Sequence, residues 1–384
     1  MAKKTNKLGI ALLGCLFLVI GLVSGFSAFT YINIPKTDEV TVGEDVYYTN
    51  GDDIQNDKIS LEDANMSVHF LELGNKYTGD CTYIKTDTCD ILIDCGSKSN
   101  SIPYIKNYLD QYVTDGKLEY VIITHAHQDH YAGFATNENV DSIFDLYECE
   151  NVITFSQTNQ KETSKLYKNY LRELNDEINR GAKHFTALDC VNETNGASKE
   201  YAIGTGITLK ILNSHYYNNK ATTENDYSVC SLISYGSKNF LFTGDLEEKG
   251  EEQLVVLNEL PRVDLYKAGH HGSKTSSSKT LMRVVQPKTV CVCCCAGSPE
   301  YTKTAENQFP TQIFINNVAK YTKEIYVTSL CIDYSKDEFT SFNGNIVYLC
   351  NERGYNVKCS NNNILLKESE WFKKNRTWPE EGVA

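Results

Sequence analysis

"VIITHAHQDHYAGF" (121–134) places three histidines and an aspartate within positions 125–130, directly behind a run of strand-forming residues, in a chain with only eight histidines. Side chains two apart in extended backbone share a face, so His125 and His127 can grip one ion. The turn that follows lets Asp129 and His130 face a second. Imidazole nitrogens and carboxylates are the usual ligands of zinc-like divalent ions. Two other strand ends carry the same chemistry. "KNFLFTGD" (238–245) delivers Asp245, and "VDLYKAG" (263–269) runs into His270 and His271. A carboxylate such as Asp245, arriving from another strand, can bridge two ions. His69 sits in an alternating strand and reads as a core residue, whereas His184 and His215 read as solvated loop residues.

Outward from the cluster, strand and helix signals alternate. "SVHFLEL" (67–73), "CTYIKT" (81–86) and "DILIDC" (90–95) read as consecutive strands. "SIPYIKNYLDQYV" (101–113) and "KETSKLYKNYLRELNDEINRG" (161–181) read as amphipathic helices, the second stopped by Gly181. Strands at 208–213, 227–236 and 238–245 precede a helix at 246–259, a strand at 263–269, a helix at 276–286 and a strand at 288–295. This order predicts a two-sheet core covered by helices.

The 384 residues are 41% hydrophobic with a formal charge of −13, a balance that disfavours broad attachment to nucleic acid or anionic lipid. "MAKKTNK" is followed by Leu8–Pro35 without a charged residue, long enough for the ~20-residue span of a bilayer. Lysines before it predict a cytoplasmic N-terminus and an external chain; a cleaved signal peptide, giving a secreted protein, is the rival. The expected division is an anchor at 1–35, an acidic linker at 36–65, a catalytic domain at 66–365 and a tail at 366–384. Of fourteen cysteines, four crowd into "CVCCCAG" (291–297), where they read as small buried hydrophobes of a strand. No glycine-rich phosphate loop appears, so no nucleotide cofactor is expected. Oligomeric state has no sequence signature here.

"THAHQDH" is similar to the H-x-H-x-D-H signature of the metallo-β-lactamase fold, and "LIDCGS", "LFTGD" and "KAGHHGSKTSSS" follow in that family's order. With "GDCTYI" and "NDYSVCSLISYG", the chain most resembles the hydrolase domain of the ComEC/Rec2 competence proteins and its stand-alone relatives. The resemblance implies a four-layer αββα sandwich, here preceded by one transmembrane helix. It implies His125 and His127 on one ion, Asp129 and His130 on a second, and Asp245 between them. One of His270 and His271 completes the second site, and Asp94 orients the histidines. The histidine that many family members place before the bridging aspartate is absent. "TENDYSV" stands there instead, with Asp226 as the candidate replacement. Zinc is the expected metal, with manganese the alternative.

By the same resemblance, two metals about 3.5–4 Å apart hold a hydroxide for attack on an anionic ester. Asp129, His271 and Lys274 are the residues expected to act on substrate. Lys267, Lys279, Arg283 and the hydroxyls of Ser273, Thr275 and Ser276 are further candidates for phosphate contact. The expected activity is that of a membrane-anchored, external phosphodiesterase or nuclease, acting on single-stranded DNA or an envelope polymer. The alternatives are a phosphorylcholine-type esterase of the envelope, or a non-catalytic metal-binding partner of an uptake apparatus.

Overall fold

The computed structural model describes residues 59–136 and 140–380, with the two strands Asp38–Val42 and Asp45–Thr49. Residue alternation builds its two sheets. Along Asp90–Ile93, Ile91 and Ile93 face one core while Leu92 faces another; along Lys238–Phe242, Phe240 and Phe242 face inward while Leu241 faces out. Val121, Ile122 and Ile123 alternate in the same way. Such period-two patterning, apolar on both faces, belongs to strands covered on both sides.

The first sheet runs, edge to edge, Asp38–Val42, Asp45–Thr49, Tyr355–Cys359, Ile346–Cys350, Met66–Phe70, Thr82–Thr86, Asp90–Ile93, Lys117–Ile123, Glu148–Thr154 and Lys183–Thr186. The second runs Glu338–Ser341, Glu324–Asp333, Thr289–Ala296, Leu265–Lys267, Lys238–Phe242, Ser231–Tyr235, Ile207–Ile211 and Glu200–Gly204. Their facing sides share one core, in which Val68, Ile91 and Ile122 meet Leu209, Phe240 and Leu265. Helices Ile102–Leu109 and Lys165–Arg180 cover the outside of the first sheet. Glu248–Leu257, Lys279–Val285 and Gln312–Val318 cover the outside of the second. The four layers are helix, sheet, sheet, helix, as expected.

Several expectations change. The stretch 36–65, read as a linker, contains two strands, and Tyr48 pairs with Cys359 at the sheet edge. Acids interrupt the alternation of "VTVGEDVYYT" that marks these strands. The tail 366–384 is built into the domain as far as residue 380: Leu366 and Phe372 are buried in the outer core, and Arg376 Nε donates to the Pro310 carbonyl. His184 lies on a strand, bonded to Thr154, not in a loop. His69 is buried as expected, between Tyr108 and Ser67.

Cys291 and Cys293 point between the sheets and Cys294 points to the outer helices, so the cysteine run is core. The thirteen cysteines among the described residues are free. The apolar segment Leu8–Pro35 lies outside the described residues; among those described, no helix is long and apolar enough to cross a membrane.

Candidate metal centre

Parallel strands point their carboxyl ends the same way, and open sheets bind ligands beyond those ends. The strand pair 90–93 and 117–123 is parallel in the first sheet, and 238–242 and 265–267 is parallel in the second. Asp94 follows the first of these, His125 to His130 the second, Asp245 the third, and His270 with His271 the fourth. All four ends meet at one seam. The approach is tight: a Cβ on Gly96 would lie 1.8 Å from the Asp129 carbonyl oxygen. His270 and His271 both take left-handed backbone, at φ 46° and 54°. Non-glycine residues seldom hold that conformation unless the surroundings impose it. Here Glu251 accepts the Ser277 and Ser278 amides, and Ser276 bonds the Leu246 carbonyl, fixing the loop behind the pair.

Hydrogen bonds decide which nitrogen each ring offers. His271 Nδ1 lies 3.0 Å from the Cys293 carbonyl, which can only accept, so Nδ1 keeps its proton and Nε2 is the nitrogen left for an ion. His130 Nδ1 donates to Asp94 Oδ2 at 2.7 Å, again leaving Nε2 as the nitrogen that can meet an ion. Thr124 Oγ1 spends its one proton on Asp94 and so accepts from His125 Nδ1 at 3.1 Å, which bares His125 Nε2. The sequence reading of Asp94 as an orienting acid holds geometrically, and Thr124 extends its reach to a second ring.

The bared atoms converge on one oxygen. Asp245 Oδ2 lies 3.2 Å from His130 Nε2, 3.4 Å from His271 Nε2, and 3.9 Å from Nε2 of both His125 and His270. Asp129 Oδ2 is 3.4 Å from His271 Nε2, and His125 Nε2 is 3.0 Å from His127 Nδ1. Ligands held at about 2.0–2.2 Å around a tetrahedral ion lie about 3.3–3.6 Å apart, so these spacings suit ion coordination. The burial decides the matter. His130 Nε2, His271 Nε2 and Asp245 Oδ1 are buried without any hydrogen-bond partner. Polar atoms left so are costly, and a cation at the seam would satisfy them. The residues fit divalent ions.

Electrostatics agree. Burial works against charge on His130 and His271, yet Asp245, with Asp94 for one and Asp80 for the other, outweighs it and raises both well above the usual imidazole range. Without an ion, protons supply the positive charge that the carboxylates demand. Burial and the His130 charge push His125 the other way, well below that range. Metal binding therefore displaces protons.

The pair that sequence could not separate is separated here. His271 is buried against both Asp129 and Asp245, on the side of His130. His270 stands at the rim, its side chain 21% exposed, with Nδ1 on Thr275 Oγ1 at 3.0 Å. Asp226 is not in the cluster: its carboxylate accepts the Glu247 amide at the head of helix Glu248–Leu257, and its pKa rises to about 6, chiefly through burial. Its neighbour Asn225 is the one that faces His270, at 3.5 Å. Lys274 is exposed and reaches Asn307. Ser276 is buried and committed to backbone, and Thr275 is occupied by His270, so neither is a free phosphate donor. Lys279 and Arg283 are exposed on the outer helix.

Two residues escaped the sequence reading. Asp80, with His130, Asp245 and His271, offers a ligand atom within 4.8 Å of the others. One of its oxygens carries the buried Lys267 ammonium; the other lies 3.1 Å from His271 Nδ1 and is itself buried without a hydrogen-bond partner, so Asp80 belongs to the same unsatisfied cluster. Lys267, expected to meet phosphate, is spent on this pair. Tyr301 donates to Asp129 Oδ2 at 2.6 Å. No periodicity marks either residue; only "GDCTYI" in the resemblance touched Asp80.

The model of the metallo-beta-lactamase superfamily matches residues 74–136. The chain is similar to "ComE operon protein 3" of Bacillus subtilis, 27% identical over 181 residues, covering 46% of this chain and 20% of that protein. It is 37% identical over 82 residues to "Recombination protein 2" of Haemophilus influenzae, covering 21% of this chain and 10% of that one. The matched part thus spans a fifth or less of these relatives. Among solved structures, the metallo-beta-lactamase fold protein YhfI of Bacillus subtilis aligns at TM-score 0.39 and 12% identity, covering 68% of this chain and 95% of that one.

Proposed function

The chain carries a metallo-β-lactamase domain, and on that premise we propose that it is a metal-dependent phosphodiesterase, anchored by its N-terminal segment with the domain outside the cell. The observation that carries the reading is the set of orphaned, fully buried atoms on His130, His271 and Asp245. His125 and His127 with Asp245 would hold one ion; Asp129, His130 and His271 with Asp245 would hold the other. Bound divalent ions supply Lewis acidity to a phosphoryl oxygen and lower the pKa of water at the site. The protein's part is orientation. Asp94, Thr124 and the Cys293 carbonyl fix the rings of His130, His125 and His271, so little side-chain entropy of these three would be lost when an ion or substrate arrives. An anionic diester suits the seam because its charge is repelled by a chain of net charge −13 everywhere except where cations sit.

The purified chain, reloaded with zinc or manganese, is to be assayed on bis-p-nitrophenyl phosphate, single-stranded DNA and a choline phosphodiester. The expected result is metal-dependent turnover of at least the first, abolished by a chelator and restored by metal. Full metal loading with no turnover of any of the three would overturn the reading; preference among them assigns the natural substrate class.

A further inference from the structure

We propose that Tyr301 is a catalytic residue, donating a hydrogen bond from its phenol to a non-bridging oxygen of the bound phosphodiester. The inference rests on the diesterase reading above and adds a residue to it. Tyr301 lies in the loop after strand Thr289–Ala296. The loop is closed at its base by the Gly297 amide on the Phe309 carbonyl, and pinned at its tip by Glu300, which accepts the Thr78 amide at 2.8 Å. The ring packs on Phe309, with centroids 5.6 Å apart, and Phe309 lies against His270 and His271 at 5.7 and 6.0 Å. The phenol is thereby aimed at Asp129 Oδ2, the atom that also faces His271 Nε2.

Its side of the site is the open one. Tyr301 is 56% exposed, whereas His130, Asp245 and His271 are buried. Several other donors around the seam are committed: Thr124 to Asp94, Lys267 to Asp80 and Ser276 to the Leu246 carbonyl. With Asp129 committed to an ion, that carboxylate would hold the phenol proton less tightly, and the hydroxyl hydrogen could turn about its C–O bond towards an incoming anion. Hydrolysis adds OH to phosphorus and H to the leaving oxygen; Tyr301 keeps its proton throughout and only shares it. A donor placed where charge develops is worth a large factor in rate, and the only rearrangement needed here is the turn of one hydroxyl hydrogen.

The test is Tyr301→Phe, which keeps the ring on Phe309 and removes the donor. Measured on bis-p-nitrophenyl phosphate, kcat should fall roughly 100-fold, with metal content by elemental analysis unchanged. Vanadate binding to the metal-loaded protein, followed by calorimetry, should weaken by about 10-fold or more, the loss of one charge-assisted hydrogen bond. A variant as active as the wild type, with equal vanadate affinity, overturns the inference alone. So does a variant that loses metal and regains full kcat when metal is added, because Tyr301 would then only position Asp129. A metal-loaded wild type inactive on every diester overturns the diesterase reading, and this inference with it.

Discussion

Replacing Lys267 by methionine tests the part of the site that lies furthest from any motif. The ammonium sits on Asp80 Oδ2 with side-chain exposures of 4% and 3%, so the pair is removed from water. Burial opposes the charge on Lys267, but Asp80 outweighs it and raises the lysine above its usual range. Removing one partner of a buried pair leaves the other charge uncompensated, at a cost of about 3–5 kcal/mol. For a domain of this size each kcal/mol shifts the melting temperature by about 2–4 °C, so Lys267→Met should melt about 6–20 °C lower. Methionine matches the aliphatic stem in volume, so packing contributes little to that loss. Asp80→Asn in the same chain should recover a substantial share, because the stranded charge is gone; the two changes are in contact and will not add. The assay is thermal and urea unfolding of the metal-free single and double variants. A Lys267→Met protein within about 1 kcal/mol of wild type would refute the buried-pair argument. A double variant as unstable as the sum of the singles would do the same.

Three further outcomes follow from the geometry. His127→Ala should fold normally yet lose metal, and His271→Ala should lose more than the ~100-fold in affinity typical of orienting residues. His270→Ala, at the rim, should lose less than His271→Ala; elemental analysis showing the reverse order would contradict the placement of the pair. Asp226→Asn should leave metal content unchanged, because the Glu247 amide can bond an amide oxygen as well, while Asp226→Ala should cost about 0.5–1.5 kcal/mol in unfolding. His69 is held neutral by burial, then by Lys85, with its pKa pushed down from the usual imidazole range to about 3. Its contribution is therefore present above the unfolded pKa and lost as pH falls, about 2 kcal/mol by pH ~5. His69→Asn should flatten the pH dependence of the melting temperature across that window, and an unchanged slope would exclude the effect.

The sequence was most informative where chemistry repeats over short distances. His125, His127, Asp129 and His130 announce themselves within six positions, and alternation along 90–93, 117–123 and 238–242 reports two covered sheets. Asp80 and Lys267 were misread or passed over because their partnership spans 187 residues, a distance at which a lone acid and a lone lysine look like surface charge. Asn225 and Asp226 are adjacent, and nothing in a short 3-10 turn tells which one turns to the cleft; the head of helix Glu248–Leu257 takes the aspartate. Strands such as Glu148–Thr154 carry acids at their outer positions that mask the alternation. The segment after 365 is short and mostly polar, but two apolar anchors, Leu366 and Phe372, are enough to fasten it.

The two sheets contribute unequal halves of the ligand set, with His125, His127, Asp129 and His130 from one and Asp245, His270 and His271 from the other. An ion that binds both halves is also a tie between them. Its binding energy counts only in the folded state, so resistance to unfolding should rise with free metal by mass action. A metal-starved environment would then loosen the seam itself and expose the inner edges of both sheets. The local supply of divalent ions would then govern how long the molecule survives as well as how fast it works.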